Sequence, residues 1–206
     1  MIDFCLEVSV PVCSFRKPYA REYLESERFP PPSTVYGFLL SLVGEEDRYR
    51  YVGTQLALAV IKIPEVSTIL RTAWRIKNKK KPVGTESNRR PDFQDILAGL
   101  EIGIWVRDGE LAKRLRSIQN PYEITRFGGL SLGESRDLVN DVVYSPHWNG
   151  VRGHLLVIDP SGQYPLPVWV DHVGSAGTRW EQFRLHEMAL SDSLPENAWI
   201  TIQPPE

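Results

Sequence analysis

The sequence predicts an α+β protein in the order strand, helix, strand, strand, helix, strand. A basic hairpin is inserted before the third strand, and a small β-rich lobe follows the last. Three observations carry this reading. Apolar residues run at strand spacing over Ile2–Val12, Leu56–Ile63 and Leu100–Val106. They switch to helical spacing after Pro32 and after Glu110. A cluster of basic residues separates the second strand from the third. This is the ferredoxin-like βαββαβ plan with a long insertion. Residues 1–145 are expected as the body, with the inserted thumb at about 66–99, and residues 146–206 as the β-rich lobe. The 206 residues, 42% apolar and 24% charged, suffice for a packed core and exclude a disordered chain.

In the first strand Ile2, Phe4, Leu6, Val8, Val10 and Val12 share one face, the pattern of a half-buried strand. The connector Ser14–Arg21 is basic and aromatic. Phe29-Pro30-Pro31-Pro32-Ser33 is a stiff lead into a helix, with Ser33 suited to cap it. Val35, Phe38, Leu39, Leu42 and Val43 form that helix's apolar face, and Gly44 stops it. Gly37 inside the helix invites close approach by another backbone or a ligand. Leu56–Ile63 is apolar on both faces and reads as a central strand. Leu70, Trp74 and Ile76 then alternate with Arg71, Ala73, Arg75 and Lys77, the rising arm of a hairpin that returns from Arg89. Glu110–Ile118 is a second helix with Leu111, Leu115 and Ile118 inward. A last strand is expected near Ile124–Phe127 or Val139–Tyr144.

Net charge is −2, but its distribution is uneven. Residues 71–90 hold eight basic residues against Glu86 alone, a local charge of +7. Residues 137–206 hold nine acids against three arginines, a charge of −6, together with four of the six tryptophans. A basic segment on an acidic body suits a polyanion site. An exposed lysine-rich loop accounts for the same charges, and composition alone leaves both open. The acidic lobe is expected to pack on the body and offer a face to a protein partner, away from any polyanion.

Two segments carry a family resemblance. Phe29–Gly44, F-P-P-P-S-T-V-Y-G-F-L-L-S-L-V-G, resembles the proline-led first helix of the CRISPR-associated protein five family. Arg126–Arg136, R-F-G-G-L-S-L-G-E-S-R, resembles the late glycine segment of the same family. The resemblance spans roughly the first 145 residues. It implies a subunit of a type I CRISPR surveillance complex that caps the complex and holds the 5′ handle of the guide RNA. The implied partners are a backbone subunit and the large subunit, with target DNA engaged indirectly. The residues expected on RNA are Arg16, Lys17, Tyr19 and Arg21 in the first connector, and Arg71, Arg75, Lys77, Lys79, Lys80 and Lys81 in the thumb. Arg126, Gly128, Gly129, Gly133, Ser135 and Arg136 in the glycine segment complete the set. Arginine and lysine grip phosphates of single-stranded RNA, and tyrosine stacks on splayed bases.

No catalytic residue, metal or cofactor is expected. One branch of the family cuts repeat RNA without metal, so a metal-independent endonuclease is the alternative. That chemistry needs a placed acid and base, and His147, His154, His172 and His186 all fall after the basic segment, none behind a lysine. Cys5 and Cys13 lack metal-ligand spacing and are expected as reduced core residues. No signal peptide or membrane span is evident, so a cytoplasmic location is expected.

Overall fold

The alternating first segment forms β1, Phe4–Cys13, and the proline-led segment forms α1, Pro32–Val43. In this computed structural model residues 4–20, 22–74, 78–82, 85, 88–118, 123–126, 128–174 and 176–205 are described. The remaining elements are β2 (Phe15–Arg16), β3 (Tyr23–Leu24), β4 (Ser26–Glu27), β5 (Gln55–Lys62), β6 (Glu65–Trp74), β7 (Arg89–Val106), α2 (Glu110–Arg116) and β8 (Asp141–Tyr144). They are followed by β9 (Arg152–Ile158), β10 (Tyr164–Trp169), β11 (Arg179–Ala189) and β12 (Ile200–Thr201). Among the described residues the architecture is mixed α/β, built on one large, mainly antiparallel sheet, a small β2-β4 sheet and two α-helices. The main strand order is β10-β11-β9-β5-β7-β1-β8, with β3 and β6 also on β7 and β12 also on β5.

Helix α1 starts two residues earlier than a serine cap requires. Pro31 takes the N-cap and Pro32 the first helical position, where a missing N–H costs nothing and φ is already helical. The Ser33 hydroxyl therefore lies inside the first turn and has no hydrogen-bond partner. At the other end Gly44 has φ +68°, and a Cβ there would meet the Thr125 carbonyl oxygen at 2.5 Å. Gly37 is open: a Cβ on it would touch nothing within 4 Å. Helix α2 buries Leu111, Ala112 and Leu115 and ends at Arg116, short of the expected Ile118. The Asn120-Pro121 stop lies outside the described residues.

The sheet buries both faces near its centre. On one, Leu6, Val8, Leu56, Ile102 and Ile104 pack with Val35, Leu39 and Leu42 of α1 and Leu111 and Leu115 of α2. On the other, Cys5, Ala57, Ala59, Trp105, Leu155 and Val157 pack with Trp148, Leu190, Ala198 and Trp199. This explains why Leu56–Ile61 of β5 is apolar on both faces. Trp105 and Trp148 stack at 4.7 Å, and a Cβ at Gly103 would stand 2.7 Å from the first ring and 2.9 Å from the second.

The sequence divides the chain near residue 146, whereas the strands beyond it continue the sheet. β9 bonds to β5 through Ala59↔Leu155 and Val60↔His154, and β11 and β10 follow outward. Removing the residues after Tyr144 would therefore strip β5 of its neighbour and remove most of the second core.

Candidate nucleic-acid interface

β6 and β7 pair from Glu65↔Ala98 to Trp74↔Arg89, forming a two-stranded arm at the expected thumb. The sequence suggests separate segments for the returning arm and the third strand. They are one 18-residue strand, β7, which pairs with β6 along its first half and with β1 and β5 along its second. The arm is thus a continuous extension of the sheet. At its tip Asn88, 1% exposed, organises the turn. Its side-chain amide donates to the carbonyls of Asn78, Lys81 and Pro82 at 3.2–3.3 Å and accepts from the Asn78 N–H at 3.1 Å. Lys79, Lys80 and Lys81 are exposed around this knot. Arg75 and Lys77, like Arg21, lie outside the described residues.

The base of the arm is clamped to the glycine segment. Gln94 of β7 is fully buried. Its carbonyl oxygen accepts from Arg71 of β6 and from Arg136 at 2.9 Å. Its amide donates to the Ser14 hydroxyl at 2.9 Å and to Glu134 at 3.0 Å. Glu134 in turn pairs with Arg136 at 3.0 Å and Arg71 at 3.6 Å. The Arg71 and Arg136 side chains remain 34% and 47% exposed beside these fixed partners.

Asp137 holds the loop itself. One carboxylate oxygen accepts from the Ser14 N–H at 2.9 Å and the Glu134 N–H at 2.8 Å. Burial raises the Asp137 pKa above the usual carboxylate value. The two backbone donors pull it back, the Glu134 charge adds to the rise, and Arg136 opposes it. Gly133 lets the loop close: its φ is +123°, and a Cβ would stand 2.6 Å from Asp137 Oδ2 and 2.9 Å from the Ser14 carbonyl. Gly129 is tight only against the Leu138 side chain, at 3.0 Å, and Gly128 (φ +79°) faces open space. Ser135 is exposed.

The other expected residues are dispersed. Arg16 on β2 donates to the Ala20 carbonyl at 3.4 Å, and the Lys17 ammonium stands 5.9 Å above the exposed Tyr19 ring. Arg126 donates to the Ser41 carbonyl at 3.1 Å, at the far end of α1. Ser14, Gln94, Glu134 and Asp137 are the residues that sequence reasoning missed. Ser14, Arg16, Gly133 and Glu134 also line an open cavity of about 500 Å³, together with Pro31, Thr34, Pro167, Val170 and Trp180.

Among the described residues no group of three or more His, Cys, Asp or Glu side chains could hold a metal ion. His154 and His186 lie on adjacent strands but on opposite sides of the sheet, since His186 pairs with Leu155 and His154 with Glu187. No described helix is long and apolar enough to cross a membrane.

Comparison with known proteins fixes the family. No family model matches the chain. A protein of Myxococcus xanthus (strain DK1622) named "CRISPR-associated protein Cas5" is 44% identical over 198 residues, covering 92% of each chain. The chain belongs to the Cas5 family of CRISPR-associated proteins. Solved structures share the fold of this Cas5-family chain at low identity. A chain of a "CRISPR RNA-guided surveillance complex" superposes with a TM-score of 0.61 at 14% identity, over 90% of this chain and 89% of that one. A "Cas protein" crystal structure gives 0.56 at 12% identity, over 91% and 95%. Of the clamp residues, Glu134 and Arg136 lie in Arg126–Arg136, one of the two segments that resemble the Cas5 family.

Proposed function

We propose that this chain is a non-catalytic subunit of a type I CRISPR surveillance complex that holds the 5′ handle of the guide RNA. The observation that carries the proposal is the clamp at the arm's base. Arg71 and Arg136, from distant parts of the chain, are fixed side by side on Gln94 and Glu134, below a lysine-bearing tip. Partly exposed arginine and lysine side chains on the arm suit a phosphate backbone, and the Lys17–Tyr19 pair on the first connector suits an unstacked base. The β5-β7-β1-β8 order, with a helix after β1 and another after β7, reads as a ferredoxin-like body. Membership of the Cas5 family supports the wider assignment, with a backbone subunit and the large subunit as protein partners and target DNA reached through them. The scattered histidines support binding without cleavage. The test is incubation of the purified chain with end-labelled repeat RNA in chelator. Retention of the 5′ segment without cleavage is expected. Metal-independent cutting would assign the endonuclease role instead, and equal, salt-sensitive binding of every polyanion would reduce the arm to a generic basic loop.

A further inference from the structure

Four tryptophans lie beyond residue 146. Trp148, Trp169 and Trp199 are buried to 5%, 3% and 6% exposure, but Trp180 is 41% exposed. Its indole helps wall the cavity of about 500 Å³ together with Phe15, Pro18, Pro31 and Pro167. Small-molecule sites usually enclose about 300–1,000 Å³ between apolar walls with a few polar groups. The polar groups here are Arg16, Ser33, Thr34, Glu134, Asp171 and Thr178. Asp171 is held as a carboxylate by the N–H groups of Val173, Gly174 and Gly177 at 2.9–3.3 Å.

We propose that this cavity takes one unpaired nucleobase of the guide RNA, stacked on Trp180. The inference rests on the RNA-binding reading above and extends it to residues beyond 146, which sequence charge assigned to protein contacts alone. Two carboxylates against one guanidinium disfavour a phosphate inside the cavity. A flat, neutral base meets both requirements: a π-face for the indole, and an edge whose N–H groups donate to Glu134 or Asp171. The phosphates on either side stay outside, toward Arg71 and Arg136 at the base of the arm. Glu134 makes the path continuous, since it lines the cavity and also accepts from Gln94 at the arm's base at 3.0 Å.

The test is titration of the full chain with the repeat-derived 5′ segment of its guide RNA, and with versions made abasic at one position at a time. Trp180→Ala should weaken binding of the intact segment by about 5- to 100-fold, the range for losing one base–aromatic stack. Trp180→Phe should keep most of the affinity. At one position the abasic RNA should bind wild type as weakly as Trp180→Ala binds the intact segment, and combining the two should add nothing. The exposed position of Trp180 leaves the fold unchanged, which circular dichroism verifies. Wild-type affinity in Trp180→Ala, or additive losses at every abasic position, overturns the cavity assignment while leaving the RNA-binding reading in place. Failure of the wild-type chain to bind the segment overturns both. Intact RNA affinity with weakened binding of a protein subunit would assign the cavity to a protein side chain and also overturn the proposal.

Discussion

Gln94 and Glu134, 40 residues apart in the chain, are joined at 3.0 Å through the Gln94 amide and a Glu134 carboxylate oxygen. That contact locks the arm to the glycine loop, and both arginines of the clamp share the same two partners. Gln94→Ala leaves the Ser14 hydroxyl, Arg71 and Arg136 without their buried partner. A loss of about 1–3 kcal/mol in urea unfolding is expected, the usual cost of a buried group left unsatisfied.

On the RNA-binding reading, Glu134 competes with phosphate for Arg71 and Arg136. Removing its charge in Glu134→Gln should tighten binding of single-stranded RNA about three- to tenfold, on the scale of ~1 kcal/mol for one partly screened charge. Fluorescence polarisation at fixed salt measures it. Weaker binding would mean that the carboxylate aligns the arginines more than it neutralises them.

The lysine run at the tip should act through charge alone. Alanine at Lys79, Lys80 and Lys81 is expected to weaken every RNA sequence alike and to flatten the dependence of log K on log salt by about 0.7 per lost contact. An unchanged slope would place the tip away from RNA.

Asp137 links the loop to pH. Its pKa is raised in the folded chain, so an Asp137 contribution to stability is fully present below the unfolded value and is lost as pH rises through the folded one. Asp137→Asn keeps an acceptor for the Ser14 and Glu134 N–H groups and should remove this slope from thermal unfolding measured between acidic and neutral pH. Asp137→Ala orphans both donors and should cost about 1–3 kcal/mol for each.

The glycines should separate in the same assay. Gly133→Ala drives a Cβ into Asp137 and the Ser14 carbonyl at a strained φ, so it should open the loop and destabilise the chain by about 1–3 kcal/mol or more. Gly128→Ala meets open space and carries only the left-handed backbone cost of about 1–2 kcal/mol.

Much of this architecture is legible in the sequence because it is written locally. The β1 alternation, the apolar stripe of α1 and the basic arm each depend on neighbours within a few residues. The clamp is not local: Ser14 bonds to Gln94 and Asp137 across 80 and 123 residues. Seen in sequence, these are ordinary polar residues. No parity signal marks Gln94 either: Leu97 and Leu100 face the same core across Gly99 (φ +73°), so the alternation of β7 is broken before it reaches Gln94. The Ser33 cap was misplaced because the serine preference overrode proline's fit at the first helical position. Trp180 gave no warning, since four tryptophans in one segment look alike until the core claims three of them.

The most direct test of the RNA-binding claim is the affinity of the full chain for the repeat-derived 5′ RNA segment, set against a scrambled segment of equal length. It is measured for wild type and for Arg71→Ala combined with Arg136→Ala. The account predicts clear preference of wild type for the native segment and loss of affinity for both RNAs when the clamp arginines are removed. Equal affinity of wild type and the double variant, with both folded, would contradict it.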